Sequence, residues 1–409
     1  MRSITIVGAG QAGLQLGIGL LDAGYEVKIV SNRTPEEIYN GRVSSSQCMF
    51  GTALAREHAL GIDFWAQRCP AVREMSFTVT DGNGGKGISW SSLLDLPAQS
   101  VDQRLKIPRW IAEFVRRGGT LEIRDATIDD LEDYRRDADL VLVAAGKGSI
   151  ANLFERDSER SIFVNPQRAL ALTYVTGMTP RTSSSAISFN LVPGVGELIV
   201  FPALTTTGPC EIMLLEGLPG GPMDCFRGVT DPQQHLEVTK RVVAEYLPWE
   251  AERCGDVQLT DELGVLAGRF APTVRRPVGK LPSGASVLGM ADVVVLNDPL
   301  TGQGSNNASK CAASYLSSIL EHADRAFDER FMIETFERYW DYTRYVVNWT
   351  NTLLGPTPWH VLQLVRAAGS NPRIARRFAN GFDDPRDFFL WFMESTSAQT
   401  YLNEFSTVA

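Results

Sequence analysis

The sequence predicts an α/β fold with a parallel sheet near the N-terminus, a β-rich middle and a helical C-terminus. Four patterns predict it. A β-branched strand runs into a glycine-rich turn and an apolar helix over residues 4–24, and a near-continuous apolar strand spans residues 139–146. Short strands follow one another between residues 169 and 218, and helical patterns dominate after residue 327. Because 409 residues exceed what one hydrophobic core usually holds, we expect two intertwined domains.

The N-terminal turn has the spacing of a dinucleotide-binding fingerprint. Its glycines, Gly8, Gly10 and Gly13, follow a short strand and open a helix. The first permits a tight turn, the second lets the backbone approach a pyrophosphate, and the third lets the helix lie close to the sheet. Free N–H groups at the helix start favour phosphate. Gln11 and Ala12 complete the turn, so all five residues are predicted to bind a dinucleotide.

The end of the second strand departs from the usual pattern, in which an acidic residue binds a ribose hydroxyl. Here Val30 is followed by Ser31, Asn32 and Arg33. The Asn32 amide is able to hydrogen-bond a ribose, and Arg33 is able to meet a phosphate. The turn and this strand end do not by themselves choose between NAD and FAD.

Composition argues against several classes of protein. The formal net charge is −9 and no Lys/Arg block occurs, which argues against nucleic acid as a partner. No stretch is long and apolar enough to span a membrane. The six cysteines are scattered without a C-x-x-C pair, and the four histidines show no metal-ligand spacing. We therefore expect a cytoplasmic protein with free thiols and no metal site.

Two further stretches are predicted to line the cofactor. The apolar strand ends at Gly146, at the carboxyl edge of the sheet, where such sheets bind ligands. Asp292 follows another strand and is able to accept hydrogen bonds from ribityl hydroxyls. The glycine-rich run after Asp298 exposes N–H groups for the N1/C2=O edge of a flavin, which becomes negative on reduction. The residues of this run assigned to the cofactor are Pro299, Gly302, Gln303, Gly304 and Asn306.

Taken in this order, the three segments resemble the FAD-dependent aromatic monooxygenases of the hydroxybenzoate hydroxylase fold. The resemblance implies a Rossmann-like FAD-binding domain with an inserted β-rich substrate domain, and it places Arg42 and Arg104 beside the FAD. The implied boundaries are residues 1–75, 100–168 and 275–325 for the FAD-binding domain, 76–99 and 169–274 for the substrate domain, and 326–409 for a helical C-terminal region.

One departure from that family bears on how the flavin is reduced. Single-component members carry a second motif, Gly-Ala-Asp-Gly-x-x-Ser-x-x-Arg, which is linked to pyrophosphate and NAD(P)H. In this chain the Asp position is Ala145 and the final Arg position is Asn152. The sequence also has no second G-x-G-x-x-G of an NAD(P)H domain. The chain looks built to hold FAD but not to reduce it, which implies a partner NADH-dependent flavin reductase.

This combination resembles the epoxidase component of the two-component styrene and indole monooxygenases, over essentially the full length. The motifs that carry the resemblance are Pro166-Gln167-Arg168, Pro193-Gly194-x-Gly196-Glu197 and Asp298-Pro299-x-x-Gly302-Gln303-Gly304-x-Asn306-x-Ala308-Ser309. Ala291 replaces a glycine common before the family's Asp. The resemblance implies that reduced FAD reacts with O₂ to a C4a-hydroperoxide, whose distal oxygen passes to an electron-rich C=C bond.

The segment predicted to face the flavin favours the indole-type branch. Styrene-type members carry Asn, Val and His at alternate positions there, whereas this chain is similar to indole-type members in having Ser45, Gln47 and Met49. Residues 42–50 are predicted to be extended, so these three side chains point one way and are the candidate catalytic residues. The amide oxygen of Gln47 is able to accept a hydrogen bond from an indole N–H.

Three further positions are predicted to line the substrate pocket. Ala98 stands where styrene-type members have serine, and Val72 and Met75 stand where they have Tyr and His. The implied reaction is epoxidation of indole, whose 2,3-epoxide opens to indoxyl and then gives indigo in air, and of styrene-like alkenes. The partners expected are the reductase, a small aromatic substrate and O₂, with a homodimer left open.

Two other functions stay open. One is a self-sufficient NAD(P)H-dependent hydroxylase of phenols, against which the missing Asp and Arg of the second motif argue. The other is a flavin-binding redox sensor without oxygenase activity. A flavin halogenase is disfavoured because the sequence lacks Trp-x-Trp-x-Ile-Pro.

Overall fold

A computed structural model describes residues 2–145, 149–181 and 185–406. Gly146, which was assigned to the cofactor, lies outside these ranges. The strands are β1 (Ser3–Val7), β2 (Glu26–Ser31), β3 (Cys48–Met49), β4 (Ala71–Thr80), β5 (Lys86–Ser100), β6 (Thr120–Ile123), β7 (Leu140–Val143), β8 (Ala169–Thr176), β9 (Ala186–Val192), β10 (Gly196–Thr205), β11 (Gly208–Gly217), β12 (Gln258–Leu259), β13 (Val265–Gly268), β14 (Thr273–Val274), β15 (Val278–Lys280), β16 (Ser286–Gly289) and β17 (Val295–Leu296). The helices are α1 (Gln11–Asp22), α2 (Pro35–Tyr39), α3 (Gly51–Ala59), α4 (Gln103–Arg116), α5 (Ile128–Asp137), α6 (Pro232–Tyr246), α7 (Pro248–Ala251), α8 (Gly304–His322), α9 (Glu329–Leu354), α10 (Trp359–Ala368), α11 (Pro372–Gly381), α12 (Phe388–Trp391) and α13 (Ser395–Ser406).

The predicted N-terminal sheet is present and has six strands in the order β15-β16-β7-β1-β2-β6. Strand β1 is parallel to β2 and β7, and the β15–β16 pairing is antiparallel. Every residue of β7 is buried, as is nearly all of β1, because helices cover both faces. Such double burial explains why these strands are uninterrupted apolar runs. Helix α1 leaves the carboxyl end of β1 and packs against α8.

The β-rich middle forms a second sheet in the order β12-β8-β11-β10-β9-β4-β5-β3, with β13 also pairing with β8. Its pairings are antiparallel except that of β4 with β9, which is parallel. All ten residues of β10 are buried. Helix α6 and its neighbours pack on one face of this sheet, and the C-terminal helices pack on the other.

The alternation of side chains predicted for residues 42–50 is wrong at Gln47. Only β3, Cys48–Met49, is a strand there. Gln47 has φ +30°, a left-handed conformation that breaks the alternation of side chains on which the prediction relied.

The C-terminal region is helical, as predicted, and it closes the second core. An aromatic cluster joins α9, α11 and α12 to the sheet, and the Trp90 indole N–H donates to the Val365 carbonyl at 3.0 Å. The domain boundaries stay a prediction. The second sheet takes in β3 and the first residues of β4, which the predicted boundary at residue 75 assigns to the FAD-binding domain.

All six cysteines are free thiols. Within the described ranges, we find no helix with the length and apolar character needed to cross a membrane.

Candidate functional site

The glycine turn between β1 and α1 is packed tightly on its protein side and open on the other. Gly8 has φ +125°, and a β-carbon there would lie 2.8 Å from the Ala144 carbonyl carbon. A β-carbon at Gly13 would lie only 2.1 Å from the Gly8 carbonyl oxygen, whereas one at Gly10 would meet no protein atom within 4 Å. The first and third glycines therefore serve packing, and the second leaves open space that fits an approaching phosphate.

The starts of three helices converge beside this turn. The Gln11 side chain, at the start of α1, donates to the Ser305 carbonyl in the first turn of α8 at 3.1 Å. It also accepts from Gln103 Nε2, at the start of α4, at 3.3 Å. Helices α1 and α8 have no side-chain cap, and none of the three helices has an acidic residue in its first turn. The free N–H groups and positive ends of α1 and α8 suit the pyrophosphate and the reduced ring of FAD.

The loop before α8 is fixed by its own polar side chains. Asp298 accepts from the Leu300 N–H at 3.1 Å, and Gly302 has φ +63°. Gln303 donates to the Phe382 carbonyl at 2.9 Å. Asn306 both accepts from the Phe50 N–H and donates to the Cys48 carbonyl, each at 2.9 Å. These side-chain amides hold the loop against β3 and the C-terminal helices and leave its backbone as the part able to contact a cofactor.

Asp292 lies in a 3₁₀ turn just after β16. Asp292 is solvent-exposed although protein atoms surround its carboxyl group closely. This setting raises the pKa of Asp292 to about 6 through loss of hydration. Ribityl hydroxyls that donate to the carboxylate would restore that hydration, so the residue fits its predicted role.

Asp292→Asn is expected to stabilise the FAD-free protein at pH 8 and to weaken FAD binding. The folded-state pKa is raised, so the folded protein keeps a proton that the unfolded chain releases above about pH 4. The folded wild-type protein therefore loses stability as the pH rises from about 4 towards 6. The neutral amide of the Asp292→Asn variant does not titrate, so the variant does not show this loss. Thermal unfolding at pH 4 and pH 8, with an FAD titration, checks this. A midpoint that changes equally at both pH values would contradict it.

Four polar residues assigned to the cofactor, one asparagine and three arginines, have diverse surroundings. Asn32 and Arg33 are exposed beyond the end of β2. Arg42 is exposed and donates to the Val265 carbonyl at 2.9 Å. Arg104 is buried between Asp102 and Asp261, and its N–H groups reach both Asp261 carboxyl oxygens at 2.9 and 3.0 Å. Contacts of these four residues with FAD stay predictions.

Ser45 and Gln47 join Tyr174 in a closed ring of hydrogen bonds. The Ser45 hydroxyl donates to Gln47 Oε1 at 2.7 Å, Gln47 Nε2 donates to the Tyr174 hydroxyl at 2.8 Å, and that hydroxyl donates to the Ser45 carbonyl at 2.9 Å. Met49 is separate from them, because its sulfur contacts Gln11 Nε2 and Lys106 Nζ at 3.3 and 3.1 Å. The three candidate catalytic residues thus lie near one another without sharing a strand face.

Tyr174→Phe is expected to lower the free energy of unfolding by about 1–2 kcal/mol, because the buried Gln47 amide loses its acceptor and the Ser45 carbonyl loses its donor. The loosened Gln47 should also lower selectivity among aromatic substrates. Urea unfolding and product ratios measure the two effects. Tyr339→Phe is the control at a second buried tyrosine, whose hydroxyl faces the Thr343 side chain and contacts neither Ser45 nor Gln47.

The three predicted pocket residues lie together in the core of the second sheet. Val72 and Ala98 are directly paired across β4 and β5, and Met75 follows on β4; all three are fully buried. The same apolar cluster contains Phe50 and Tyr174. The structure therefore brings the predicted pocket positions and Tyr174 into one apolar cluster.

Sequence analysis missed Tyr174 and Gln103 as members of this site. Tyr174 lies on a predicted strand with no motif of its own, and Gln103 opens a helix that was recognised only as a helix. Each takes part through a side-chain contact across 92 or more residues of chain, for which local sequence carries no signal.

Comparisons with known proteins find similarity to styrene monooxygenases. Residues 146–253 match the family described as the styrene monooxygenase A putative substrate binding domain. The chain is 28% identical to the styrene monooxygenase StyA of Pseudomonas fluorescens over 393 residues, covering 94% of this chain and 93% of that protein. A StyA from a Pseudomonas species matches with the same identity and coverage.

Solved structures share the fold at low identity. A flavoprotein/dehydrogenase from Cytophaga hutchinsonii superposes with a TM-score of 0.71 at 13% identity, covering 98% of this chain and 99% of that chain. The flavin-dependent brominase Bmp2 superposes with a TM-score of 0.68 at 12% identity, covering 99% of both chains. The predicted fold class and the resemblance drawn from the motifs are thereby confirmed, and FAD is supported as the cofactor: over nearly its whole length the chain is similar to styrene monooxygenases.

Proposed function

We propose that the chain is the oxygenase component of a two-component monooxygenase that epoxidises indole and styrene-like alkenes with reduced FAD and O₂. The observation that carries this proposal is the junction of the open glycine turn, the uncapped starts of α1 and α8, and an apolar core beside Gln47. The junction suits an anionic dinucleotide, and the apolar core suits an aromatic hydrocarbon.

Loops and helix starts beside the first sheet would hold the cofactor. The backbone around Gly10 and the first turn of α1 would bind the pyrophosphate, and Asp292 would accept from the ribityl hydroxyls. The backbone N–H groups from Gly302 to Asn306 would face the N1/C2=O edge, where reduced flavin is negative. Reduced FAD, when bound, supplies the activation of O₂.

The second sheet would supply the substrate side. Its buried apolar residues, Val72, Met75 and Ala98 among them, would exclude water and press an aromatic ring towards the flavin. Gln47 Oε1 already accepts from Ser45 at 2.7 Å and has a second lone pair for an indole N–H. Its rigid setting in the hydrogen-bonded ring would orient the C2=C3 bond. The epoxide formed would open to indoxyl, which air converts to indigo.

A separate NADH-dependent flavin reductase would deliver the reduced FAD, by diffusion or transient contact. Ala145 and Asn152 stand where single-component relatives have the Asp and Arg linked to NAD(P)H. The relatives that match over most of the chain are styrene monooxygenases. These two observations support the two-component assignment.

Aerobic turnover of indole and of styrene tests the proposal. The purified protein receives FAD and NADH, with and without an unrelated flavin reductase, and catalase is present to remove peroxide. We expect blue pigment and styrene oxide only when the reductase is present, with indole favoured. Gln47→Leu should lower the indole-to-styrene ratio more than it lowers styrene turnover.

Two other outcomes would point elsewhere. Product without a reductase would identify a self-sufficient hydroxylase and overturn the argument from Ala145 and Asn152. Bound FAD without product from any alkene would favour a flavin-binding redox sensor.

A further inference from the structure

Three motifs that are far apart in the sequence meet in one buried cluster. Arg168 binds Glu197 through two parallel hydrogen bonds, Nε to Oε2 at 2.8 Å and Nη2 to Oε1 at 2.9 Å. Glu216, on β11, lies directly opposite Glu197 in the sheet register. The buried carboxyl group of Glu216 in turn faces that of Asp298, which is also buried, at the start of the loop before α8, close enough for the two to share a proton. The cluster therefore links the second sheet to the loop that would hold the flavin.

The carboxyl group of Glu216 receives no hydrogen bond from a backbone N–H or from a basic or hydroxyl side chain of the described residues. The residue is fully buried. The Nη1 group of Arg168 is directed away from Glu216, because it donates to the Gln167 and Leu354 carbonyls at 2.9 and 3.3 Å. Two touching carboxyl groups in such a setting cannot both be ionised, so one of them keeps a proton.

Glu216 is the group that keeps the proton. Burial and the neighbouring Asp298 and Glu197 charges raise the pKa of Glu216 well above its usual value. Asp298 is better placed as the anion, because it also accepts from the Leu300 N–H at 3.1 Å. The proton then lies between the Glu216 carboxyl group on β11 and the Asp298 carboxylate at the start of the loop before α8.

We propose that Glu216 acts as a neutral acid whose hydrogen bond to the Asp298 carboxylate positions residues 298–304 for the flavin. It is a positioning residue, because it would act through Asp298 and the loop backbone. The role in FAD binding rests on the function proposed above, whereas the protonation and the ordering of the loop do not. Without the donor, the Asp298 carboxylate would be buried and poorly paired, and the loop would move to hydrate it.

Two measurements on the FAD-free protein test the first half of the proposal. An infrared difference spectrum of wild type minus Glu216→Gln at pH 7 should contain the C=O band of a protonated carboxylic acid. Hydrogen exchange of the amides in 298–304 should be faster in Glu216→Leu than in wild type and close to wild type in Glu216→Gln, whose amide is able to donate to Asp298. Absence of the protonated band, or unchanged exchange in Glu216→Leu, overturns the proposal.

FAD titration tests the second half. We expect Glu216→Leu to weaken FAD binding about tenfold and Glu216→Gln to bind within about twofold of wild type. Glu211→Leu is the matched control, because it removes a largely buried glutamate about 17 Å along the same strand. Equal losses in Glu216→Gln and Glu216→Leu overturn the role of the donor. If wild type binds no FAD, the proposed function fails, while the infrared and exchange results still decide the state of Glu216.

Discussion

Gly13→Ala is expected to lower the free energy of unfolding by about 3 kcal/mol or more and to abolish FAD binding. The added β-carbon would lie 2.1 Å from the Gly8 carbonyl oxygen and 3.3 Å from the Ile6 side chain. Both neighbours belong to the strand and turn that α1 covers, and backbone there has little room to yield. Overpacking of this kind forces the helix off the sheet. Urea unfolding monitored by circular dichroism, together with an FAD titration, measures both effects.

Gly10→Ala is the matched control for that result. Gly10 has φ −82°, an ordinary value for alanine, and a β-carbon there meets no protein atom within 4 Å. The variant should therefore unfold like wild type and still bind FAD at least tenfold more weakly, because the methyl group occupies the space that the pyrophosphate needs. Wild-type FAD affinity in Gly10→Ala would mean that the phosphates do not approach this turn.

The parts of the site that the sequence predicts are those coded by neighbouring residues. The turn at Gly8 to Gly13 needs only its spacing and two flanking strands, and both are local patterns. Strand β7 is apolar because it is buried on both faces, so its place in the middle of a parallel sheet was predictable. The same holds for α8, whose start is marked by the glycine-rich run from Gly302.

The parts that the sequence does not predict depend on contacts made only in the folded chain. The alternation of side chains in an extended segment predicted that Ser45, Gln47 and Met49 share a face. This prediction is wrong because Gln47 has φ +30°. That backbone conformation is held by Tyr174, which is 127 residues away in sequence. Likewise, the Arg168 and Asp298 motifs were recognised singly, and only the pairing of β10 with β11 brings Glu216 between them.

Lys106→Met is expected to lower the free energy of unfolding by about 3–5 kcal/mol at pH 8, because it leaves the Glu57 carboxylate buried without its counter-charge. Lys106 Nζ lies 2.7 Å from Glu57 Oε1, and the two side chains are only 2% and 4% exposed. Burial already raises the pKa of Glu57 against the effect of Lys106, and removing the lysine raises it further. An acid with a raised folded-state pKa loses stability as the pH increases through that value, so the deficit should be smaller at pH 5 than at pH 8.

The double variant Lys106→Met with Glu57→Leu separates the charge from the packing. If the loss comes from the stranded carboxylate, removing it should recover most of the stability and abolish the pH dependence, because apolar replacement of a whole buried pair is often neutral. Arg330→Met is the control, because it removes a solvent-exposed ion pair with the same N–O distance. Its partner Glu334 is also 2.7 Å away, but the side chains are 84% and 62% exposed, and no measurable change is expected. A double variant as unstable as Lys106→Met would show that the contacts of the Lys106 ammonium with the Met49 sulfur and the Trp110 ring matter more than its pairing with Glu57.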